Sequence, residues 1–372
     1  MLKRNLLSLA SLEALSKEDL IKHVLSLQER KENKRQKTQR KIDFSKFEKL
    51  HVAFRVAYDG AAYHGMATQQ GISSHTTYKH EDIQNVTIED VLLRALMKTS
   101  LIESVNACGW SRCGRTDAGV SAIGQIVSLW VRGRRLSDLS QDKQEYPPYA
   151  CMLNGVLPKD VRILDWSLVS DNFDARFDCR WREYRYFFAS GETLDISSMQ
   201  EAARHLLGEH DFRNLACKDP SKPEDRQSYI RTILKAQIIP ASGSSADVFA
   251  MWQLVIRGNA FLYHQVRCIM AVLILVGHKL EEPSIVAKLL DPSAFPRKPS
   301  YVMAPDTGLV LSEAGYDAGV LNWWCKDKSL IRDAWFERWE QCEQRSLLAR
   351  YAIDVFGLET KIHAPPHHPF TK

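Results

Sequence analysis

Cys113-Gly114-Arg115-Thr116-Asp117-Ala118-Gly119-Val120-Ser121-Ala122 is the stretch that decides this fold. It sets a single carboxylate between two glycines, one residue after a hydroxyl and two after an arginine. Glycine lets the backbone turn tightly or approach a ligand closely, so Asp117 is expected on a loop. Residues 125–131 follow as a strand-like run that would hold the loop in place. Chemistry concentrates on loops carried by a rigid scaffold. Taken alone, an aspartate between glycines reads more often as an Asx turn at a strand start, but this run is too long and too particular for that reading.

Outward from this run, residues 51–59 alternate, with Val52, Phe54, Val56 and Tyr58 on one face, as a half-buried strand requires. Residues 87–102 read as a helix: Thr87 and Asp90 resemble a capping box, and Ile88, Val91, Leu92, Ala95 and Leu96 form an apolar stripe. Leu153-Asn154-Gly155-Val156-Leu157-Pro158 closes this half, and a second begins near Asp171. There, residues 182–189 are strand-like, with Tyr184, Tyr186 and Phe188 on one face. Residues 198–207 read as a helix with a Ser198/Glu201 capping box and Gly208 past its end. Strands are expected at 230–239 and 248–257, a strongly apolar helix at 261–279, and an extended segment at 301–316.

The expected fold class is α+β. Two similar sheet-plus-helix halves form a continuous mixed or antiparallel sheet with a central basic cleft, plus helical N- and C-terminal extensions. The boundaries are 1–50 for a helical, basic extension, 51–170 for the half carrying the Asp117 loop, 171–320 for the second half, and 321–372 for the C-terminal extension. The first extension opens with Ser16 as a helix cap before Leu20, Val24 and Leu27. The last holds a helix at 334–356, packed through Trp335, Trp339 and Leu347, and a disordered tail.

At 372 residues the chain suggests two domains, or one large domain with extensions, and its 45% apolar content is ordinary for a globular protein. The longest apolar stretch, residues 268–276, is too short to cross a bilayer, and no secretory signal is evident. Eight cysteines lie scattered without a C-x-x-C pair, so a structural zinc is not expected and the thiols read as reduced packing residues. His363, His367 and His368 among prolines read as a disordered tail rather than a metal site. Net charge is +5, yet residues 30–41 carry seven basic side chains and one acid. The rest of the chain is near neutral, so an RNA-binding face on the body must be a segregated patch. The basic run itself reads as an RNA-binding arm, a nuclear import signal or a solvated helix end. Lys3 and Arg4 without an early acid leave a weak mitochondrial signal beside the expected nuclear and/or cytoplasmic location.

Arg267 is the second informative residue. It stands in Phe261-Leu262-Tyr263-His264-Gln265-Val266-Arg267, directly before the nine apolar residues 268–276. Helical periodicity sets it beside Tyr263, His264, Met270 and Ala271, facing inward. A buried guanidinium without an acid is costly, so the chain must bring it a carboxylate. Asp117 is the candidate; a structural pair with another acid is the alternative. An adjacent cation favours the ionised carboxylate and fixes its orientation. Tyr184, on a mixed aromatic strand, reads on its own as a core residue.

Further segments stand in order around these residues: Tyr58-Asp59-Gly60 with Gly65, Thr87-Ile88-Glu89, Leu153-Asn154 with Leu157-Pro158, Gly208-x-His210-Asp211-Phe212, Arg231-Thr232-Ile233, Gly258-Asn259-Ala260-Phe261-Leu262, and Ala304-Pro305 with Gly308-Leu309. With the Asp117 run they resemble the TruA family of tRNA pseudouridine synthases, and the run's cysteine and serine resemble its eukaryotic branch, which acts on the anticodon arm. The resemblance runs from about Val52 to Tyr316. Met66 departs from it where an aromatic often follows Gly65, as does Leu215 after His210-Asp211-Phe212; both bear on substrate-loop packing.

The resemblance implies isomerisation of uridine to pseudouridine in tRNA, at positions 38 and 39, with Asp117 as the catalytic carboxylate. It implies that Arg267, marked by the preceding H-x-V, pairs with Asp117, and that Tyr184 stacks on the target uracil. It implies that Arg115 fills the stack vacated by the extruded base; a plain phosphate clamp is the other reading of Arg115. No cofactor and no metal are implied. The tRNA patch is expected from Arg112, Arg115, Arg134, Arg135 and Arg182, together with Arg132, Arg180 and Lys218. Family members are homodimers, so a homodimer that cradles one tRNA and touches no membrane is implied by analogy. The rival readings are a non-catalytic tRNA-binding or folding protein on the same scaffold, and a basic interaction protein driven by residues 30–41.

Overall fold

The computed structural model describes residues 42–68, 86–138, 146–191, 193–220, 228–242, 250–324 and 329–356. Two compact units are distinguished, Met1–Phe47 and Glu48–Lys372. The Ser16 helix, the basic run and the histidine tail lie outside the described residues.

The chain forms one mixed nine-stranded sheet with helices against it. β1 (Phe47–Tyr58) is the alternating segment, but it is buried on both faces rather than one: Ala53 and Ala57 are as enclosed as Val52, Phe54 and Val56. α1 (Ile88–Lys98) carries the expected Thr87–Asp90 capping box, each side chain accepting from the other's backbone amide. It stops four residues short of 102, where Thr99 turns its hydroxyl onto the Ala95 carbonyl and Ser100 takes a left-handed φ of 53°. β2 (Ser111–Arg112) and the long β3 (Ser121–Arg135) bracket the Asp117 loop. α2 (Tyr149–Asn154) leads to β4 (Val161–Leu168).

β5 (Trp181–Ala189) is the aromatic strand, with Tyr184, Tyr186 and Phe188 all buried. α3 (Ile196–Arg204) begins earlier than its sequence suggests. Asp195 rather than Ser198 is the cap, its carboxylate accepting from Ser198 N at 3.1 Å. β6 (Gly208–Asp211), β7 (Ile230–Ser242) and β8 (Met251–Gly258) follow. α4 (Gln265–Gly277) is apolar almost all round and almost wholly buried. It starts at 265, not 261, because His264 holds a left-handed φ of 58° that no helix admits. α5 (Ile285–Leu289), β9 (Leu309–Gly315) and α6 (Ser329–Phe356) complete the order. On α6, Trp339 and Leu347 are both 56% exposed instead of packed. Arg338 and Glu337 tie that helix to Asp59 and Lys159. No described helix is long and apolar enough to cross a membrane.

The sheet runs β4-β1-β3-β9-β5-β8-β7-β6, with β2 on β3. The junction that matters is β3 with β9. It is parallel, and it pairs Ser121 with Val310 and Ala122 with Leu311. Both strands enter the sheet at the same end. The loop before β3, which holds Asp117, and the loop before β9, which holds Asp306, therefore emerge side by side. β5 pairs antiparallel on the other flank of β9, with Tyr184 opposite Leu311.

Candidate active site

Residues 113–120 are held from three sides. Met66 N donates to Thr116 O (3.0 Å), Gly119 N donates to Tyr63 O (3.1 Å), and Gly60 N donates to the Ser121 hydroxyl (3.0 Å). A methyl group built on Gly60 would overlap the Val120 carbonyl, which accounts for the Tyr58-Asp59-Gly60 segment. Beneath the loop, the Tyr58 hydroxyl meets Thr116 Oγ1 at 2.8 Å. Gln125 Nε2 donates to Gly114 O at 3.0 Å, and the Cys113 thiol donates to Gln125 Oε1 at 2.8 Å. Met66 and Leu215, the two departures from the family pattern, are fully buried core residues.

Arg182 is the fourth restraint. Its Nε and Nη2 donate to Cys113 O (3.0 and 2.6 Å), Nη2 also to Arg176 O (2.9 Å), and Nη1 to Asn259 O (3.0 Å) and Cys179 O (3.3 Å). One guanidinium thus engages four carbonyls from three backbone segments. Its donors are directed onto the protein's own carbonyls.

Asp117 projects from this scaffold with its side chain 27% exposed. Burial pushes its carboxyl up to about 6. Arg267 pulls the other way and loses; the Asp306 carboxylate adds to the rise. Arg267 lies within electrostatic reach of Asp117, but its Nε donates to Ala304 O at 2.8 Å, and no ion pair within 4.0 Å joins the two. The reason is the left-handed turn at His264. It starts α4 at Gln265 and sets the imidazole beside the carboxylate: His264 Nε2 stands 3.5 Å from Asp117 Oδ2. Burial, then Arg267 and Lys298, press His264 down to about 4, so at neutral pH this is a neutral ring beside a carboxylate.

Tyr184 is buried, and its ring meets Phe261 edge-on, with centroids 5.0 Å apart. Burial drives its phenol well above the usual range, and the Asp117 charge is among the smaller contributions in the same direction. Asp117, Arg267 and Tyr184 therefore share one electrostatic neighbourhood. Tyr186 lies deeper in the core and donates to Pro305 O at 2.8 Å, which braces the Asp306 loop.

Asp306 escaped sequence reading. Pro305, Asp306, Thr307 and Gly308 spell a turn, but nothing local says which loop that turn will face. In the fold, Gly119 takes φ +79°, and a methyl group there would collide with the Asp306 carboxylate. The bare Cα lets the second acid approach the first.

The remaining arginines separate clearly. Arg115 is exposed, and no described side chain accepts from it. Arg112 instead pairs with the buried Glu89 (2.7 Å), and Arg134 with Glu48 (2.9 Å) while lying over the Tyr146 ring. Arg132 donates to Ser100 O, Arg180 pairs with Asp317, and Arg135 and Lys218 are exposed. Arg115, exposed, stands two residues before Asp117 in the chain. Among the described residues no three His, Cys, Asp or Glu side chains group to hold a metal ion.

Comparison with known proteins adds an independent line. A family model described as tRNA pseudouridine synthase matches residues 202–317. The chain is 42% identical over 296 residues to the human tRNA pseudouridine(38/39) synthase, covering 76% of this chain and 58% of that protein. It is 36% identical to a probable tRNA pseudouridine synthase of Caenorhabditis elegans, covering 78% and 73% of the two chains. It is 30% identical to the tRNA pseudouridine synthase A of Methanosarcina acetivorans, covering 82% and 97%. The chain thus spans little more than half the length of the human relative and nearly all of the archaeal one.

Proposed function

The chain belongs to the TruA family of tRNA pseudouridine synthases, and from that premise we propose that it isomerises uridine to pseudouridine in the anticodon stem-loop of tRNA, at positions 38 and 39. The observation that carries this reading is the largely buried Asp117 carboxylate, with His264 at 3.5 Å and the charge of Arg267 acting on it. The isomerisation breaks the glycosidic C–N bond, turns the uracil, and forms a C–C bond, with one proton lost from carbon and one gained by nitrogen. Nothing is oxidised or hydrolysed, so the chain's own side chains suffice.

Two routes are open to a carboxylate at the sugar, attack on it or removal of a sugar proton, and both need Asp117 ionised. A carboxyl at about 6 meets that need above neutrality. A poorly solvated carboxylate is also more reactive than one in water, and water kept out of the site cannot capture a severed sugar. Arg267 offsets part of the burial cost and holds the anion's field in place. Tyr184 supplies a ring for the turning uracil. Extruding a stacked base costs a few kcal/mol; Arg115, exposed beside the loop, is available to occupy the gap or grip a phosphate.

On this reading the two sheet-plus-helix halves meet near the β3–β9 junction, and a basic cleft there takes the anticodon arm. Two copies of the chain form a homodimer around one tRNA. The test is to incubate the purified full chain with unmodified tRNA and map pseudouridine by nucleotide. Product at 38 or 39 is expected, and Asp117→Asn should abolish it while tRNA affinity stays nearly intact. Tight binding without product anywhere overturns the proposal in favour of a non-catalytic tRNA-binding protein.

A further inference from the structure

Phe177 is 77% exposed, an unusual cost for a phenyl ring. The backbone beneath it is anything but loose. Asp174 Oδ1 accepts from Arg176 N (2.7 Å) and Phe177 N (3.0 Å), and Asp178 Oδ2 accepts from Asp174 N (2.8 Å). Ala175 N donates to the Ser111 hydroxyl, and Ala175 O accepts from the Tyr316 hydroxyl (2.6 Å). Arg182 then grips Arg176 O with the same Nη2 that grips Cys113 O, so the turn and the Asp117 loop are clamped side by side. An apolar ring is thus displayed on a rigid mount, and rigidity removes the ordering cost of a later contact.

The chemistry around the ring selects the occupant. Arg176 lies over the Phe177 ring at 5.5 Å and is itself exposed. Arg112 feels both Arg115 and Arg176, which places three guanidinium groups together. The two acids of the turn are directed onto its own amides, and Glu89 serves Arg112. An exposed apolar ring with a guanidinium beside it suits a base on a phosphate backbone: every base has a π-face, and every linkage carries a negative charge.

We propose that Phe177 is a stacking platform for an unpaired base adjacent to the target uridine, with Arg176 and Arg115 taking the flanking phosphates. This rests on the tRNA reading above and adds a substrate contact outside the reacting centre. A stacked base raises affinity without altering the chemical step, so the effect belongs in binding and KM rather than kcat.

The test uses an anticodon stem-loop RNA with 2-aminopurine beside the target uridine, bound to full-length protein carrying Asp117→Asn so that the RNA stays unreacted. Phe177 in this background should quench the fluorophore. Phe177→Ala and Phe177→Leu should relieve the quench and weaken binding about tenfold, with unfolding temperature unchanged, while Phe177→Trp restores both. In the active protein the same Ala and Leu changes should raise KM and spare kcat. Equal affinity and quench in Phe177→Ala overturns the proposal, and so does full function in Phe177→Leu, because an aliphatic chain offers no stacking face. Pseudouridine formation by the unaltered chain is scored separately: binding without product refutes the functional reading and leaves the stacking result standing.

Discussion

Replacing Asp117 by asparagine removes a poorly solvated charge while keeping shape, so the variant should be the more stable protein. An aspartate ionises near 3.8 in an unfolded chain, and in the fold burial moves Asp117 to about 6. Below pH 4 the group is neutral in both states and costs nothing. Between pH 4 and 6 the unfolded chain releases its proton while the folded one retains it, so rising pH erodes folded stability. Above pH 6 the full penalty is in force. Two pH units at 1.36 kcal/mol each give about 3 kcal/mol. The side chain is 27% exposed, so solvent screening is limited and the figure is an upper value. For a protein of this size that is a gain of about 5 °C in unfolding temperature. The substituted amide has no proton to lose, so the variant reports the difference directly. The assay is thermal unfolding of both proteins from pH 4 to 8. The asparagine advantage should be near zero at pH 4, climb to pH 6 and then level off. An advantage independent of pH, or a less stable variant at pH 7.5, would refute the desolvation account of this site.

Three further outcomes follow from the geometry. Asp306→Asn removes a like charge from Asp117, so the acid limb of the kcat/KM–pH profile should move from about pH 6 to lower pH; an unmoved limb means that Asp306 is a bystander. Arg182→Lys cannot reach four carbonyls with one ammonium, and should cost about 2–3 kcal/mol by denaturant unfolding, with activity falling alongside. Gly60→Ala drives a methyl group into the Val120 carbonyl; displacement of the loop by a fraction of an ångström should cut turnover about 10²-fold in a protein that still folds, read by kcat beside circular dichroism.

What the sequence discloses follows the range of the forces concerned. Thr87 and Asp90 are three residues apart, and their capping box is local, so it is legible and present. The alternation of β1 and the aromatic face of β5 are likewise periodic signals. Asp117 is marked by its glycines. The failures share a different origin. Asp195 displaces Ser198 as a cap because either spacing satisfies the local rule and packing chooses. His264 interrupts a helix that its apolar content would extend. Arg267 is expected to face inward but is only half-buried, and its carbonyl partner Ala304 is 37 residues away. Arg182 looks like any surface arginine until the fold brings four carbonyls to it. Asp306 reaches Asp117 only through a parallel strand pair, and no periodicity encodes which strands will pair.

That pairing also dictates when the protein first becomes competent. Ser121 and Ala122 wait for Val310 and Leu311, nearly two hundred residues later. A growing polypeptide leaving the ribosome carries the signature loop early and holds it inert, without its second acid, its guanidinium or its aromatic wall. Translation must pass β9 and clear the exit tunnel before the β3–β9 pair forms. A product terminated before β9 therefore lacks that strand pair and the Asp306 loop, even with every residue of the signature in place.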